Sequence, residues 1–247
     1  MGRTLVFNIF RHDPQDAVST PRMDTFRLQE TDRMTLFIAL HRLREEQDPS
    51  LKFDFCCRAG VCGSCAMVIN GRPGLACHTK TRDLPDTITL LPLPVFKLVG
   101  DLAVDTGTWF RAMYQRTESW VHTSVPFDEH AAEARMENET ANAIYELDRC
   151  IECGCCVAAC GTANMRPDFL APAGFLRVAR FLADPRDERD LNAYYELIGT
   201  EDGIFGCMGL LACEDVCPKH LPLQNQLGYL RRKLGITAIR RLLPFAK

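Results

Sequence analysis

Two cysteine runs in the second half of the chain restrict its fold more than any other feature. The first run has Cys150, Cys153, Cys156 and Cys160, the C-x2-C-x2-C-x3-C spacing of bacterial two-cluster ferredoxins. In such runs the fourth cysteine binds the other cluster, so a second run has to lie beside the first. Cys155 is off this pattern and is predicted not to be a ligand. The spacing therefore predicts a module with two iron–sulfur clusters.

The second run, which should supply the remaining ligands, lacks one cysteine. It has Cys207, Cys213 and Cys217 before Pro218, but Leu210 stands where a full copy of the motif has a cysteine. Three thiolates and a leucine hold a fourth iron poorly, which favours [3Fe–4S]; the alternative is a labile fourth iron completed by water or another small ligand. Because the last cysteine of each run binds the cluster of the other run, [4Fe–4S] is assigned to Cys150, Cys153, Cys156 and Cys217. The [3Fe–4S] cluster is assigned to Cys160, Cys207 and Cys213.

A third group of cysteines lies near the N-terminus. Cys57, Cys62 and Cys65 are separated by four and then two residues, and Cys77 follows further along, which is the plant-type [2Fe–2S] spacing. Cys56 lies one residue outside the pattern, and shifting the register to include it would spoil the four-residue gap. The four patterned cysteines are therefore predicted to hold a [2Fe–2S] cluster, and Cys56 is predicted to be a spare thiol.

Two glycines inside this loop support the cluster prediction. Gly60 and Gly63 accept positive φ angles, so they let the backbone wrap tightly and let amide N–H groups approach sulfur. A structural zinc site also uses closely spaced cysteine pairs and is the alternative interpretation. Zinc requires neither the four-residue gap nor a glycine-lined loop, so the pattern favours the cluster.

The hydrophobic pattern of the first 100 residues predicts a small sheet with one helix. Apolar residues alternate over 4–11, and Asn70-Gly71 separates two short apolar stretches as in a hairpin. The predicted strands cover 4–11, 25–29, 67–69, 73–76 and 87–91; the predicted helix starts at Thr35, has Ile38 on its apolar stripe and stops at Asp48-Pro49. This order of elements is that of a β-grasp ferredoxin.

The chain is accordingly predicted to be an α+β protein with two domains. An N-terminal β-grasp, plant-type [2Fe–2S] ferredoxin domain is followed by a mainly α-helical, bacterial-ferredoxin-like two-cluster domain. The predicted bounds are 1–100 for the first domain, 101–138 for a connector and 139–247 for the second domain. Helices are predicted over 128–147 and 175–182, and the charged residues of 186–195 are predicted at the surface.

The C-terminal segment is amphipathic and basic. From Leu221 onward, leucines recur at helical spacing beside Arg231, Arg232 and Lys233, and Arg240 follows. Such a helix faces lipid headgroups or an anionic partner, or else covers the cluster core. The pattern favours neither interpretation.

Charge and motif content exclude several other classes of protein. A formal net charge of −3 gives no basic field, so nucleic acid is not an expected partner. Thirteen cysteines, clustered in a chain too large to need disulfide staples, indicate a reducing compartment. There is no apolar run of about 18 residues, no secretory signal, and no nucleotide-binding or nucleophile motif. No catalytic residue is predicted, and one-electron cofactors without a two-electron site indicate a relay.

These motifs together resemble the iron–sulfur subunit of the succinate dehydrogenase and fumarate reductase family. The resemblance covers nearly the whole chain and rests on the eleven patterned cysteines. It implies a non-catalytic electron-transfer subunit of a quinone-linked complex. Its partners would be a flavoprotein subunit with FAD, which interconverts fumarate and succinate, and a membrane-anchoring cytochrome b subunit with haem b, which handles quinone. The chain would then lie on the cytoplasmic face of the inner membrane, attached through its partner.

Shorter stretches are most similar to the dihaem, menaquinone-linked fumarate reductases of anaerobic bacteria. They are Phe53-Asp54-Phe55, the loop 58–65, and Glu146-Leu147-Asp148-Arg149. Ubiquinone-linked relatives tend to have Trp and His where this chain has Met165 and Met208, so ubiquinone is not favoured. The alternative function is the iron–sulfur subunit of another flavin-linked oxidoreductase, of the soluble thiol-linked fumarate reductase or glycolate oxidase type.

Overall fold

The computed structural model describes residues 2–126, 128–132 and 135–243. The chain forms two compact units, and each is assembled from separate segments. The first unit comprises Met1–Trp109, Ile151–Ala159 and Asp215–Pro218; the second comprises Phe110–Cys150, Cys160–Glu214 and Lys219–Lys247. The domain boundaries predicted at residues 100 and 138 stay predictions.

The first unit contains a five-stranded sheet that confirms the predicted strands. Its strands are β1 (Thr4–Arg11), β2 (Arg22–Gln29), β3 (Ala66–Ile69), β4 (Arg72–Leu75) and β5 (Thr87–Leu91), in the order β2-β1-β5-β3-β4. β1 and β5 run parallel, and the other neighbouring strands are antiparallel. β2 starts three residues earlier than predicted because Arg22 still pairs with Arg11 at the end of β1. The β3–β4 hairpin turns at Asn70-Gly71, as predicted.

One helix, α1 (Leu36–Glu46), provides the other layer of this core. The Thr35 side chain caps it by accepting the N–H of Ile38, and the leucines at 36, 40 and 43 are fully buried. Ile38 was predicted on the buried stripe, but 40% of it is exposed. Phe37 is buried instead, because a helix turns by about 100° per residue and the stripe follows Leu36 and Leu40.

The remaining elements are mostly helical. A two-stranded ribbon, β6 (Lys97–Gly100) with β7 (Ala103–Asp105), follows the sheet. The helices are α2 (Thr106–Arg116), α3 (Asn138–Asp148), α4 (Cys155–Ala158), α5 (Gly161–Met165), α6 (Ala171–Leu182), α7 (Leu191–Ile198), α8 (Ala212–Asp215) and α9 (Leu223–Leu242). In the second unit, α6 packs against α3 and α9, and α9 also packs against α7. α6 confirms the helix predicted over 175–182 and starts four residues earlier, with Pro172 in its first turn.

The helix predicted over 128–147 is wrong for 128–132 and 135–137, whereas residues 133 and 134 lie outside the described part of the chain. Within the described residues, α3 begins only at Asn138, and 128–132 form a turn in which Asp128 accepts the N–H of His130. Only Ile144 and Leu147 of α3 are buried. A polar segment without a buried apolar stripe gains little from packing, and short helices are marginal without packing.

The charges predicted at the surface between 186 and 195 are also partly buried. The side chain of Asp187 is 1% exposed and that of Arg189 is 7% exposed, and they form an ion pair. Arg189 also donates to the carbonyl oxygen of Glu118 and lies 4.6 Å from the ring centroid of Tyr194. Each buried charge has a partner, which is the condition under which charges are tolerated inside proteins.

A neighbouring buried carboxylate leads to a stability prediction. The Asp184 side chain is fully buried and bridges Arg180 and Arg186 at 2.7 Å each. We expect Asp184→Asn to destabilise the chain by about 2 kcal/mol, because the two ion pairs of a buried carboxylate are lost, although Arg180 keeps Asp148 and Arg186 is half exposed. Thermal unfolding of the purified complex measures the effect. The matched control is Glu201→Gln, which removes a surface partner of Arg166 and should change little.

The same carboxylate should make stability depend on acid pH. The hydrogen bond from Arg186, outweighing burial, lowers the pKa of Asp184 from 3.8 to about 2. The pKa of Asp184 is lower in the folded chain than in the unfolded chain. The contribution of Asp184 to the stability of the fold is therefore complete above about pH 4 and is lost as the pH falls towards 2. Asp184→Asn should remove that part of the acid dependence, and an unchanged acid profile would contradict the prediction.

Candidate metal centres

The loop before β3 directs backbone amides at two of the predicted [2Fe–2S] ligands. The Cys57 sulfur accepts the N–H of Ala59 at 3.3 Å and that of Val61 at 3.4 Å. The Cys62 sulfur accepts the N–H of Cys57 at 3.5 Å. Amide N–H groups directed at sulfur stabilise negative charge there, which is what thiolate ligands of a cluster require.

The hairpin brings the fourth cysteine of this set to the loop. Cys77 follows β4, and its N–H donates to the Cys65 sulfur at 3.5 Å. Cys65 and Cys77 are both buried. Burial raises the pKa of Cys65 to about 12, whereas at Cys62 burial is outweighed by hydrogen bonds from Ser64 and Cys57, which lower the pKa to about 6. The four thiols predicted as one ligand set therefore lie in one loop and hairpin.

Positive φ angles allow this loop to wrap tightly. Gly60 has φ +67° and Gly63 has φ +76°, which confirms the predicted use of both glycines. A Cβ at Gly60 would lie 2.2 Å from Nε2 of His78, so a side chain there would displace the exposed His78 ring. Arg58 also has a positive φ, 56°, which its residue type does not predict.

The register of this loop gives a direct prediction. Cys57→Ala should abolish the [2Fe–2S] cluster, because its sulfur is the one that receives two backbone amides. Cys56→Ala is the matched control: this cysteine is exposed, and all clusters should be retained. Iron and sulfide analysis with EPR of the reduced protein measures both. Loss of the [2Fe–2S] signal in Cys56→Ala would show that the register is wrong.

A second group of thiols lies at α4 in the first unit. Cys153, Cys155, Cys156 and Cys217 are close enough for their charges to interact. Cys155 is fully buried; its contact with Cys153, together with burial, raises its pKa, and the same contact lowers the pKa of Cys153. The structure thus brings together three of the predicted [4Fe–4S] ligands with the off-pattern cysteine. Cys150, the remaining predicted ligand, is the last residue of a segment of the second unit.

The third group lies wholly in the second unit. Cys160 precedes α5, Cys207 follows a 3-10 turn, and Cys213 is on α8. The charges of these three thiols interact. Burial raises the pKa of Cys160, and it raises that of Cys213 to about 11. The three predicted [3Fe–4S] ligands are therefore neighbours in the fold.

Leu210 lies beside this group. Its side chain is 66% exposed, and its Cδ1 atom would be 2.9 Å from a Cβ placed on Gly161, the residue after Cys160. Gly161 therefore provides the space that Leu210 occupies. The position that lacks a cysteine in sequence is next to the thiol group that lacks a fourth member.

The three groups of cysteine thiols are chemically suited to hold iron–sulfur clusters. Thiolates are the cluster ligands of ferredoxins, and the [2Fe–2S] loop adds amide donors to its sulfurs. In the part of the chain that the structure describes, no three or more Cys, His, Asp or Glu side chains are arranged to hold a single metal ion.

The C-terminal helix α9 packs against other helices of the second unit, α6 and α7. Leu223, Leu230 and Leu234 are buried on α9, and Arg231 donates to the carbonyl oxygen of Cys207. The interpretation that this helix covers the core is confirmed for its apolar face, whereas contact with lipid or an anionic partner stays a prediction. None of the described helices has the length and apolar character needed to cross a membrane.

The fold and the thiol groups define an iron–sulfur protein that combines a plant-type ferredoxin unit with two-cluster ferredoxin runs. Comparison with family models agrees: residues 6–111 match a 2Fe-2S iron-sulfur cluster binding domain, and residues 146–221 match a 4Fe-4S dicluster domain.

Whole-chain comparisons identify the family. The chain is 59% identical to the fumarate reductase iron-sulfur subunit of Wolinella succinogenes, over 95% of this chain and 98% of that protein. It is 30% identical to the succinate dehydrogenase iron-sulfur subunit of Bacillus subtilis, over 96% and 95% respectively. A chain in the structure titled Mycobacterium smegmatis Sdh1 complex in the apo form superimposes with a TM-score of 0.83 at 25% identity, over 96% of this chain and 98% of that one. The chain belongs to the iron–sulfur subunits of the fumarate reductase and succinate dehydrogenase family.

Membership confirms several predictions. The chain is an electron-transfer subunit of an oxidoreductase complex, and its cofactors are one [2Fe–2S], one [4Fe–4S] and one [3Fe–4S] cluster. The predicted fold class is confirmed as well. Members of the family assemble with a flavoprotein subunit and membrane-anchor subunits.

Proposed function

We propose that this chain passes single electrons between FAD in a flavoprotein subunit, which interconverts fumarate and succinate, and a cytochrome b anchor subunit that handles quinone. The observation that carries the proposal is the division of the thiols into three groups. The clusters would supply one-electron oxidation and reduction, and the residues of this chain hold them in sequence. The ligands are Cys57, Cys62, Cys65 and Cys77 for [2Fe–2S], Cys150, Cys153, Cys156 and Cys217 for [4Fe–4S], and Cys160, Cys207 and Cys213 for [3Fe–4S].

The membrane end of the relay is proposed to be the [3Fe–4S] group. Three large apolar side chains beside this group, Met165, Met208 and Leu210, are exposed. Exposed apolar side chains grouped around a functional site are typical of an interface, which supports a membrane-anchor subunit as the covering partner. The chain would then lie at the cytoplasmic face of the inner membrane, attached through that subunit.

Menaquinone is the proposed quinone. Met165 and Met208 occupy the positions where ubiquinone-linked relatives tend to have Trp and His, and the relative from Wolinella succinogenes is a fumarate reductase subunit. The haem would be bound by the anchor subunit.

Purification of the intact complex from native membranes tests this function. We expect the chain to copurify with a flavin-containing subunit and a b-type cytochrome, together with menaquinone. In a strain without the anchor subunit, the chain and the flavoprotein should appear in the soluble fraction. A complex without flavin or without haem b would contradict the proposal, as would persistent binding of the chain alone to protein-free liposomes.

A further inference from the structure

The [2Fe–2S] loop and the [4Fe–4S] run touch at Gly63 within the first unit. A Cβ built on Gly63 would lie 2.8 Å from Cα and 2.9 Å from Cβ of Cys153, and 2.9 Å from the carbonyl oxygen of Ile151. Two of these three atoms belong to the backbone, which cannot move aside as the end of a flexible side chain can. Gly63 therefore has its backbone directly against Cys153.

This contact joins residues adjacent to both clusters. Gly63 is bonded to Cys62, a proposed [2Fe–2S] ligand, and Cys153 is a proposed [4Fe–4S] ligand. The path from one ligand to the other follows covalent bonds except for a single step between touching atoms. Electronic coupling is stronger along bonds and across van der Waals contacts than across a gap, so this path is a favourable one for an electron.

The fold holds the Cys153 side of the contact in place. Gly154 has φ +79°, and a Cβ there would be 2.7 Å from the ring of Phe96, so the run after Cys153 is packed against that ring. Phe96 is buried and lies edge-on to Trp109, with 5.9 Å between the ring centroids. On the other side, α4 packs against β4, and Arg72 of β4 donates to the carbonyl oxygen of Asp215.

The space beside the contact is less suited to electron transfer. A cavity of about 210 Å³ borders the contact, and it is lined in part by Gly63, Ser64 and Cys153. A route across it would include a longer step through open space. The direct contact of Gly63 with Cys153 is therefore favoured over a route through this cavity.

We propose that electrons pass between the [2Fe–2S] and [4Fe–4S] clusters across the contact of Gly63 with Cys153. This inference rests on the ligand sets proposed above. When bound, the clusters would supply one-electron oxidation and reduction, one losing the electron that the other gains, and Cys62, Gly63 and Cys153 of this chain would form the path between them. No bond is made or broken and no proton moves. Gly63 is a positioning residue whose missing side chain sets the distance.

The test compares two glycine variants in the complete complex. Gly63→Ala adds a methyl group at the contact, whereas Gly71→Ala introduces the same change at φ +82° with no atom within 4 Å. Cluster content is measured first, by iron and sulfide analysis and EPR. The spin–spin interaction between the two reduced clusters and the rate of electron transfer between them, followed by freeze-quench EPR, are then compared. We expect Gly63→Ala to retain both clusters, to weaken the interaction and to slow the transfer, and Gly71→Ala to match the unmodified complex.

An unchanged rate and interaction in a fully loaded Gly63→Ala complex would overturn the proposal, and so would equal slowing in Gly71→Ala. If Gly63→Ala does not retain both clusters, Phe96→Leu loosens the Cys153 side and leaves residues 57–77 intact; it should slow the transfer, and an unchanged rate there would overturn the proposal. Absence of either cluster from the unmodified complex would refute the proposed ligand sets instead.

Discussion

Leu210→Cys is expected to convert the [3Fe–4S] site into one that holds a [4Fe–4S] cluster. The three thiols proposed for this site are already neighbours, and the Leu210 side chain lies against the residue that follows Cys160. A cysteine at 210 would complete the C-x2-C-x2-C-x3-C run from Cys207 to Cys217. The fourth iron would then have a protein ligand.

The functional effect should be large because cluster type and charge are major determinants of reduction potential. For a one-electron couple, each shift of about 59 mV changes the equilibrium constant about tenfold. We expect quinone-coupled turnover to fall by about tenfold or more, since the proposed exit site would no longer match its neighbours.

EPR of the air-oxidised complex measures the conversion: the [3Fe–4S] signal should disappear and the iron content should rise. Met208→Cys is the matched control, because Met208 is also exposed and also lies near Gly161, but it is out of register. That variant should keep the [3Fe–4S] signal. An unchanged signal in Leu210→Cys would contradict the proposed role of the missing cysteine.

Cys156→Ala is expected to abolish the [4Fe–4S] cluster, whereas Cys155→Ala should retain it. The two residues are adjacent on α4, and Cys155 interacts electrostatically with Cys153, Cys156 and Cys217. Only Cys156 matches the ligand spacing. With the central cluster missing, electron flow between flavoprotein and quinone should stop, although a turnover assay with an artificial dye at the flavoprotein should continue.

Measurements of cluster content and thermal stability distinguish a cluster ligand, the role expected of Cys156, from a buried packing residue, the role expected of Cys155. Cys155 is fully buried, so truncation to alanine should cost about 1 kcal/mol through the small cavity that it leaves. Cys155→Ala should therefore lower the thermal midpoint slightly and keep iron and sulfide at the unmodified level. The assignment would be wrong if Cys155→Ala lost the [4Fe–4S] signal and Cys156→Ala kept it.

The features that the sequence predicts well are local ones. Strands β1 and β5, helix α1 and the Asn70-Gly71 turn follow from short periodic patterns, and each is present in the structure. The cysteine spacing likewise predicts which thiols become neighbours in the first loop and in the second unit, because ligand spacing is fixed by the geometry of the cluster.

The features that sequence reasoning missed depend on residues far apart in the chain. Nothing in the pattern around Gly63 indicates that Cys153 lies against it, and the burial of Asp184 and Asp187 depends on arginines that neutralise them. The late start of α3 at Asn138 has the same origin, since the missing contribution is tertiary packing. Such contacts become visible only when the fold is known.

The interleaved make-up of the two units has a consequence for biosynthesis. Most of the first unit comes from residues 1–109, but it also includes residues 215–218. Its last contacts therefore join residues that are more than 100 positions apart in the sequence. Contacts of high sequence separation form late and slowly. During synthesis the β-grasp sheet can form early, but the thiols at 153, 156 and 217 meet only after nearly the whole chain has been made. We therefore expect the [4Fe–4S] site to be loaded after translation, and truncations before Pro218 to leave the central step of the relay without its cluster.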